Sequence, residues 1–148
     1  ALLLGLIINQ LHPKGISFKI LFHPLLPLKQ NLADEFYVIS ADSALILLDQ
    51  SMVEFLDIRT LDDYQLDHIS GAQHLSFNQL LSGFIPEFSI APEGKVIIYD
   101  QEGEMEQLNL AAISLQQAGY RNIYLLFGGY LNWLQKGYSI ERGAELHD

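Results

Sequence analysis

The chain has 148 residues, a length that suits one domain with a short appendage. Its 49% apolar content supplies a core and argues against extensive disorder, and the absence of cysteine excludes a disulfide, a thiolate zinc site and a cysteine nucleophile. A formal net charge of −10 argues against nucleic acid as a partner.

That charge is unevenly spread. Residues 1–33 carry Lys14, Lys19 and Lys29 and no acid, whereas residues 34–148 carry five basic and eighteen acidic residues. A basic head and an acidic body predict two segments in different surroundings. Ala1 to Leu11 is almost wholly apolar with no polar face. A spanning helix needs about 20 such residues, so this run reads as the last turns of a transmembrane helix whose start precedes Ala1. Pro13 ends it, and Lys14 and Lys19 then fall at the lipid head groups. Gly15 to Leu32 contains Pro24 and Pro27 among Phe18, Phe22, Leu25, Leu26 and Leu28, and reads as an extended apolar connector. By the positive-inside rule the three lysines place the following domain on the cytoplasmic side of the membrane.

The folded domain is expected over 34–142, with a polar tail at 143–148. Phe36 to Ile39 reads as a strand. Ser40 can cap a helix from Ala41 to about Asp49. Met52 to Ile58 is a second strand, followed by a short helix from Leu61 to about Asp67 capped by Thr60. Ile69 to Leu75 gives a turn and a brief strand. Phe77 to about Gly83 is a helix, and Phe84 to Gly94, with two prolines, is loop.

Val96 to Tyr99 is a buried strand, Asp100 to Glu104 a turn-rich loop, and Met105 to Ala118 a helix stopped by Gly119. A strand, a tight loop and a helix in that order make an anion cradle, because backbone N–H groups converge and the helix dipole adds partial positive charge. Its contents have the opposite sign: Asp100, Glu102, Glu104 and Glu106. Ile123 to Phe127 is another strand, Gly128 and Gly129 turn the chain, and Tyr130 to Lys136 is the last helix. From Ser139 the sequence is polar and reads as a loose tail. Short apolar strands alternating with helices predict an α/β domain, with a central, mostly parallel five-stranded sheet and helices on both faces.

Four stretches at this spacing resemble a known family. They are Asp57-Ile58-Arg59 with Asp63-Tyr64, then His68-Ile69-Ser70-Gly71-Ala72, then the strand, loop and helix of 95–118, then Gly128-Gly129-Tyr130-Leu131-Asn132-Trp133. Together they resemble a rhodanese-like domain. The residues also have readings that need no chemistry: Asp57 and Arg59 can order the loop after their strand, His68 can hydrogen-bond structurally, and Trp133 can anchor the last helix.

The resemblance implies a persulfide-carrying Cys where Asp100 stands and an anion-binding Arg where Met105 stands. A carboxylate does not accept sulfane sulfur as a thiolate does. Two unit charges 4 Å apart interact by about 1 kcal/mol even in water, so the acids around the loop also oppose an anionic substrate. The loop Asp100, Gln101, Glu102, Gly103, Glu104 and Met105 is therefore expected to be a vestigial active site, with no catalytic residue, metal or cofactor. The expected role is a non-catalytic, membrane-tethered rhodanese-like domain that serves as an accessory or protein-interaction subunit, its partner presenting a basic surface. Three alternatives are weighed beside it. The acidic loop 100–106 could bind a cation, Asp100 could act as an acyl-phosphate nucleophile, or the domain could keep residual ligand binding related to sulfur metabolism.

Overall fold

The computed structural model describes residues 36–48, 53–85 and 91–143. The expected membrane-helix end, the connector and most of the final tail lie outside the described residues. Among the described residues no helix is long and apolar enough to cross a membrane.

In chain order the elements are β1 (Tyr37–Ile39), α1 (Ala41–Leu48), β2 (Val53–Asp57), α2 (Leu61–Leu66), β3 (Asp67–Ile69), β4 (Gln73–His74), α3 (Phe77–Leu81), β5 (Lys95–Tyr99), α4 (Met105–Gln117), β6 (Asn122–Leu126), α5 (Gly129–Gln135) and β7 (Ile140–Arg142). Five strands form one sheet in the order β1-β6-β5-β2-β4. Each pairing in it is parallel.

The alternation of β5 sets the two cores. Val96 and Ile98 enter one, with Leu56 of β2, Ile123 and Leu125 of β6, Leu80 of α3, and Leu108, Ala111 and Leu115 of α4. Ile97 and Tyr99 enter the other, with Phe55, Leu126, Ala41 and Ala44 of α1, and Tyr130 and Trp133 of α5. A strand buried on both faces needs apolar side chains at every position, which is why β5 shows no polar alternation. Trp133 is fully buried and packs edge-on against Phe55 and Tyr138, at 5.1 and 5.0 Å between ring centres. Its indole N–H donates to the Ser139 carbonyl at 3.0 Å, so it anchors α5 as expected.

The caps follow local sequence. Ser40 Oγ accepts from the Ser43 N–H, and Thr60 Oγ1 from the Asp63 N–H, each at 3.2 Å. Ser76 and Gln79 form a reciprocal capping box at the start of α3, a local signal carried by the Ser-x-x-Gln spacing.

Two expectations are corrected. The segment after the Thr60-capped helix is not a turn alone: the helix ends at Leu66 and Asp67–Ile69 forms strand β3. The stretch from Ser139 is not all loose: Ile140–Arg142 is a strand, paired antiparallel with β3 in a separate two-stranded sheet. β7 carries one half-buried apolar residue, Ile140, so neither burial nor period marks it in the sequence. It forms because β3 offers it a free edge.

Candidate functional site

The site lies at the carboxyl ends of β2 and β5, where the chain leaves two neighbouring strands. Open α/β sheets place ligand crevices there. A pocket of about 400 Å³ opens between the loops after these strands and the start of α3. Ile58 and Phe77 form apolar wall, Thr60, Ser76, Asn78 and Gln107 are polar, and Asp63, Asp100, Glu102 and Glu104 bring negative charge, with Arg59 as the basic lining residue.

Asp100 is the centre of the expected cradle, and its own carboxylate fills it. Oδ1 accepts from the Gly103 N–H at 2.5 Å, and Oδ2 from the Glu104 N–H at 3.0 Å. Asp100 is only 4% exposed. The amide donors that could hold a bound anion are thus taken by a covalently attached one. This sharpens the electrostatic argument from sequence: besides repelling an anion, Asp100 occupies its donors. It also weakens the acyl-phosphate reading, because a nucleophilic carboxylate needs a free, accessible oxygen.

The loop is held from behind by the Gly128-Gly129 turn. The Tyr130 N–H donates to the Asp100 carbonyl at 2.8 Å and the Leu131 N–H to the Gln101 carbonyl at 3.0 Å. The first free amides of α5 are therefore satisfied by the loop itself. This contact requires bare backbone: a Cβ on Gly129 would stand 2.6 Å from both the Asp100 carbonyl oxygen and the Gly103 nitrogen, and one on Gly103 would stand 2.5 Å from the Gly128 nitrogen.

The other half of the site is a buried ion pair. Asp57, fully buried at the end of β2, accepts from the Arg59 backbone N–H at 2.9 Å and from Arg59 Nη2 at 2.8 Å. Nη2 also donates to the Asp67 carbonyl at 2.6 Å, and Nη1 to Gln101 Oε1 at 3.0 Å. The guanidinium lies over the Tyr130 ring, 4.1 Å from its centre. Burial works against the Arg59 charge, but the hydrogen bonds and charge of Asp57 outweigh it and hold the guanidinium above its ordinary range. Burial, then the Asp57 charge, pushes the Tyr99 phenol far up, so it stays neutral.

The predicted residues divide accordingly. Asp57, Arg59, Asp100, Gln101, Glu102 and Glu104 meet at or beneath the pocket. Met105, at the position where the resemblance implies an anion-binding Arg, packs against the core beside Leu108 instead. Glu106 is exposed on the first turn of α4 and does not line the pocket. The cation alternative fares poorly for the same reasons: Asp100 turns inward onto amides, and among the described residues no three His, Cys, Asp or Glu side chains are grouped to hold a metal ion. His68, Gly71 and Ala72 stand apart from the pocket on β3 and its turn, where the Tyr64 hydroxyl donates to the Ala72 carbonyl at 2.8 Å. Ser76, Asn78 and Gln107 were not singled out from sequence, and Thr60 and Phe77 were read only as a helix cap and a helix start, not as pocket residues. Their one available signal is position, since each lies just after a strand end or on a helix that starts there.

The rhodanese-like domain family model matches residues 40–136. A protein named thiosulfate sulfurtransferase GlpE, from Pseudomonas fluorescens, is 36% identical over 99 residues, covering 67% of this chain and 85% of that one. The uncharacterized protein YibN of Escherichia coli K12 is 25% identical over 114 residues, covering 77% and 78%. Among solved structures, the rhodanese-like domain of the Alr3790 protein from Anabaena superposes with a TM-score of 0.59 over 74% of this chain and 82% of that one; at 23% identity it bears on the fold alone. The parallel sheet, the loop seated on a glycine pair and the matched span agree: the chain belongs to the rhodanese-like domain family.

Proposed function

We propose that this is a non-catalytic rhodanese-like domain that works by binding a protein partner, tethered to a membrane through its N-terminal segment as an accessory subunit. One observation carries the first part. The Asp100 carboxylate sits on the Gly103 and Glu104 amides, in a chain with no cysteine to act as nucleophile. Sulfur transfer needs a thiolate that accepts sulfane sulfur and returns it, and a carboxylate does neither. GlpE relatives are named for thiosulfate sulfurtransferase activity. That activity does not pass to a chain lacking the atom that would carry the sulfur.

The partner is expected to present a basic surface. Asp63, Glu102 and Glu104 surround an open pocket whose guanidinium is already engaged by Asp57 and Gln101. The tether rests on the apolar run Ala1 to Leu11 and the lysines that follow it.

The test is a sulfur-transfer assay with thiosulfate and with a persulfide donor. The purified protein should turn over no faster than the buffer blank, and robust turnover would overturn the proposal. Purification of the intact complex from membranes, followed by mass spectrometry, should return a stoichiometric partner with a basic contact face. Recovery of the protein solely in the soluble fraction, alone, would remove the accessory role.

A further inference from the structure

The C-terminal strand β7 is held to β3 by a pair of titratable side chains whose geometry depends on a proton. His68 and Glu141 face each other in register across the two strands. His68 Nδ1 lies 2.8 Å from the Tyr64 carbonyl oxygen. A carbonyl only accepts, so Nδ1 carries hydrogen. Nε2 lies 3.3 Å from Glu141 Oε2. A carboxylate also only accepts, so a neutral ring would turn its Nε2 lone pair toward Glu141. Only the imidazolium donates from both nitrogens. The other oxygen of Glu141 accepts the Gly71 N–H at 2.9 Å. One carboxylate therefore ties β7 to both β3 and the turn that follows it.

We propose that His68 and Glu141 form a proton-operated clasp on β7, closed when His68 is charged and loosened when it is neutral. Its neighbours leave the proton on His68 as the deciding event. Tyr64 of α2 stacks on the ring with centres 4.0 Å apart. Burial first, then Glu141 and Asp57, push its phenol up, so it stays neutral. His74 of β4 lies against the Tyr64 ring at 4.9 Å and bonds the Arg59 carbonyl through Nε2, not Glu141. Asp67 and Arg142 are the next pair in register and carry opposite charges. The clasp is complete where Glu141 is ionised and His68 carries a proton on both ring nitrogens. It weakens as pH rises, because the Nε2 proton that closes it is lost.

The strand to which β7 is clasped reaches the pocket. β3 begins at Asp67, whose carbonyl oxygen holds Arg59 Nη2, and Nη1 of the same guanidinium holds Gln101 in the loop. The clasp therefore bears on the anchorage of the pocket whether or not the pocket binds a basic partner.

Backbone hydrogen exchange read by NMR tests the clasp on the intact protein. The probes are the Gly71 N–H, bound to Glu141, and the Gly143 N–H, bound to the Leu66 carbonyl at 3.1 Å just beyond β7. After correction for intrinsic rates, protection should be about threefold higher near pH 5.5 than near pH 8, the size expected of one partly exposed ion pair. Glu141→Gln should abolish the difference and His74→Gln should keep it. The Glu141 side chain is 57% exposed, so the substitution leaves the core untouched. In the unmodified protein, the His68 ring ¹⁵N signals should show both nitrogens protonated in the acid range where protection is high. Equal protection at both pH values, persistence of the difference in Glu141→Gln, or its loss in His74→Gln would each overturn the clasp.

Discussion

Two buried carboxylates stand side by side in this domain and are satisfied in different ways. Asp57 ends β2 and pairs in register with Tyr99, and Asp100 follows Tyr99 out of β5. Asp57 is matched by a guanidinium that cannot be deprotonated. Asp100 is matched by backbone amides alone. The first arrangement is closed, because each charge needs the other and no ligand has a place in it. The second is an anion site with its occupant built into the chain. The difference separates an ion pair that closes on itself from a cradle that closes on its own chain: the Asp57 region ties β2 to the loops beside it, and the Asp100 region keeps its amides engaged.

The comparison can be broken most forcefully at Arg59. Arg59→Leu leaves Asp57 buried and unpaired, and should cost about 3–5 kcal/mol in urea unfolding. A loss under about 1 kcal/mol would mean that the pair is not the closed structural unit described here. Gly129→Ala comes next. Its Cβ would meet backbone atoms of Asp100 and Gly103 at 2.6 Å, and φ is +55°, so roughly 3 kcal/mol should be lost. A mild effect would show that the loop is not seated on the glycine pair.

Asp100→Ala sharpens the other side. It should cost only about 1–2 kcal/mol, because water can reach the vacated amides through the open pocket. Millimolar sulfate should then raise the melting temperature of the variant and leave the parent unchanged, since only the variant has free donors. Sulfate stabilising both equally would show that Asp100 does not occupy the anion position.

The smallest effect is expected far from both carboxylates. On the surface, Lys136 bonds both oxygens of Asp42 at 2.8 Å, and the Tyr138 hydroxyl donates to the same group. These bonds hold the Asp42 carboxyl below its ordinary range. Such a group adds stability above its unfolded titration, and loses it as pH falls through the folded one. Lys136→Met should therefore flatten the acid limb of the stability curve slightly, and leave it unchanged where Asp42 is protonated in both states. An unaltered acid limb would remove the pair from the account.

Much of the fold was legible because its physics is local or periodic. The apolar run Val96 to Tyr99 in β5 announces a strand buried on both faces, and Ser40 and Thr60 announce helix starts. The absence of cysteine was legible outright, since no fold creates one. Less legible were the features that depend on which surfaces meet. Arg59 and Gln101 are 42 residues apart in the chain, and nothing in either segment says that one holds the other. Gly103 reads as an ordinary turn residue, although its role is to let two backbones touch.

The sequence by itself determined the class of the fold, the order of its helices and of the strands of its main sheet, and the acidic, thiol-free character of its central loop. These follow from hydrophobic period, capping chemistry and residue identity, which short segments carry alone. Tertiary structure decided that the Asp100 carboxylate turns inward onto the cradle's amides, that Met105 joins the core, and that the segment after Ser139 becomes a strand clasped by His68 and Glu141. Each of these depends on which of several local options is completed by a partner distant in sequence. Only the folded chain brings that partner within reach.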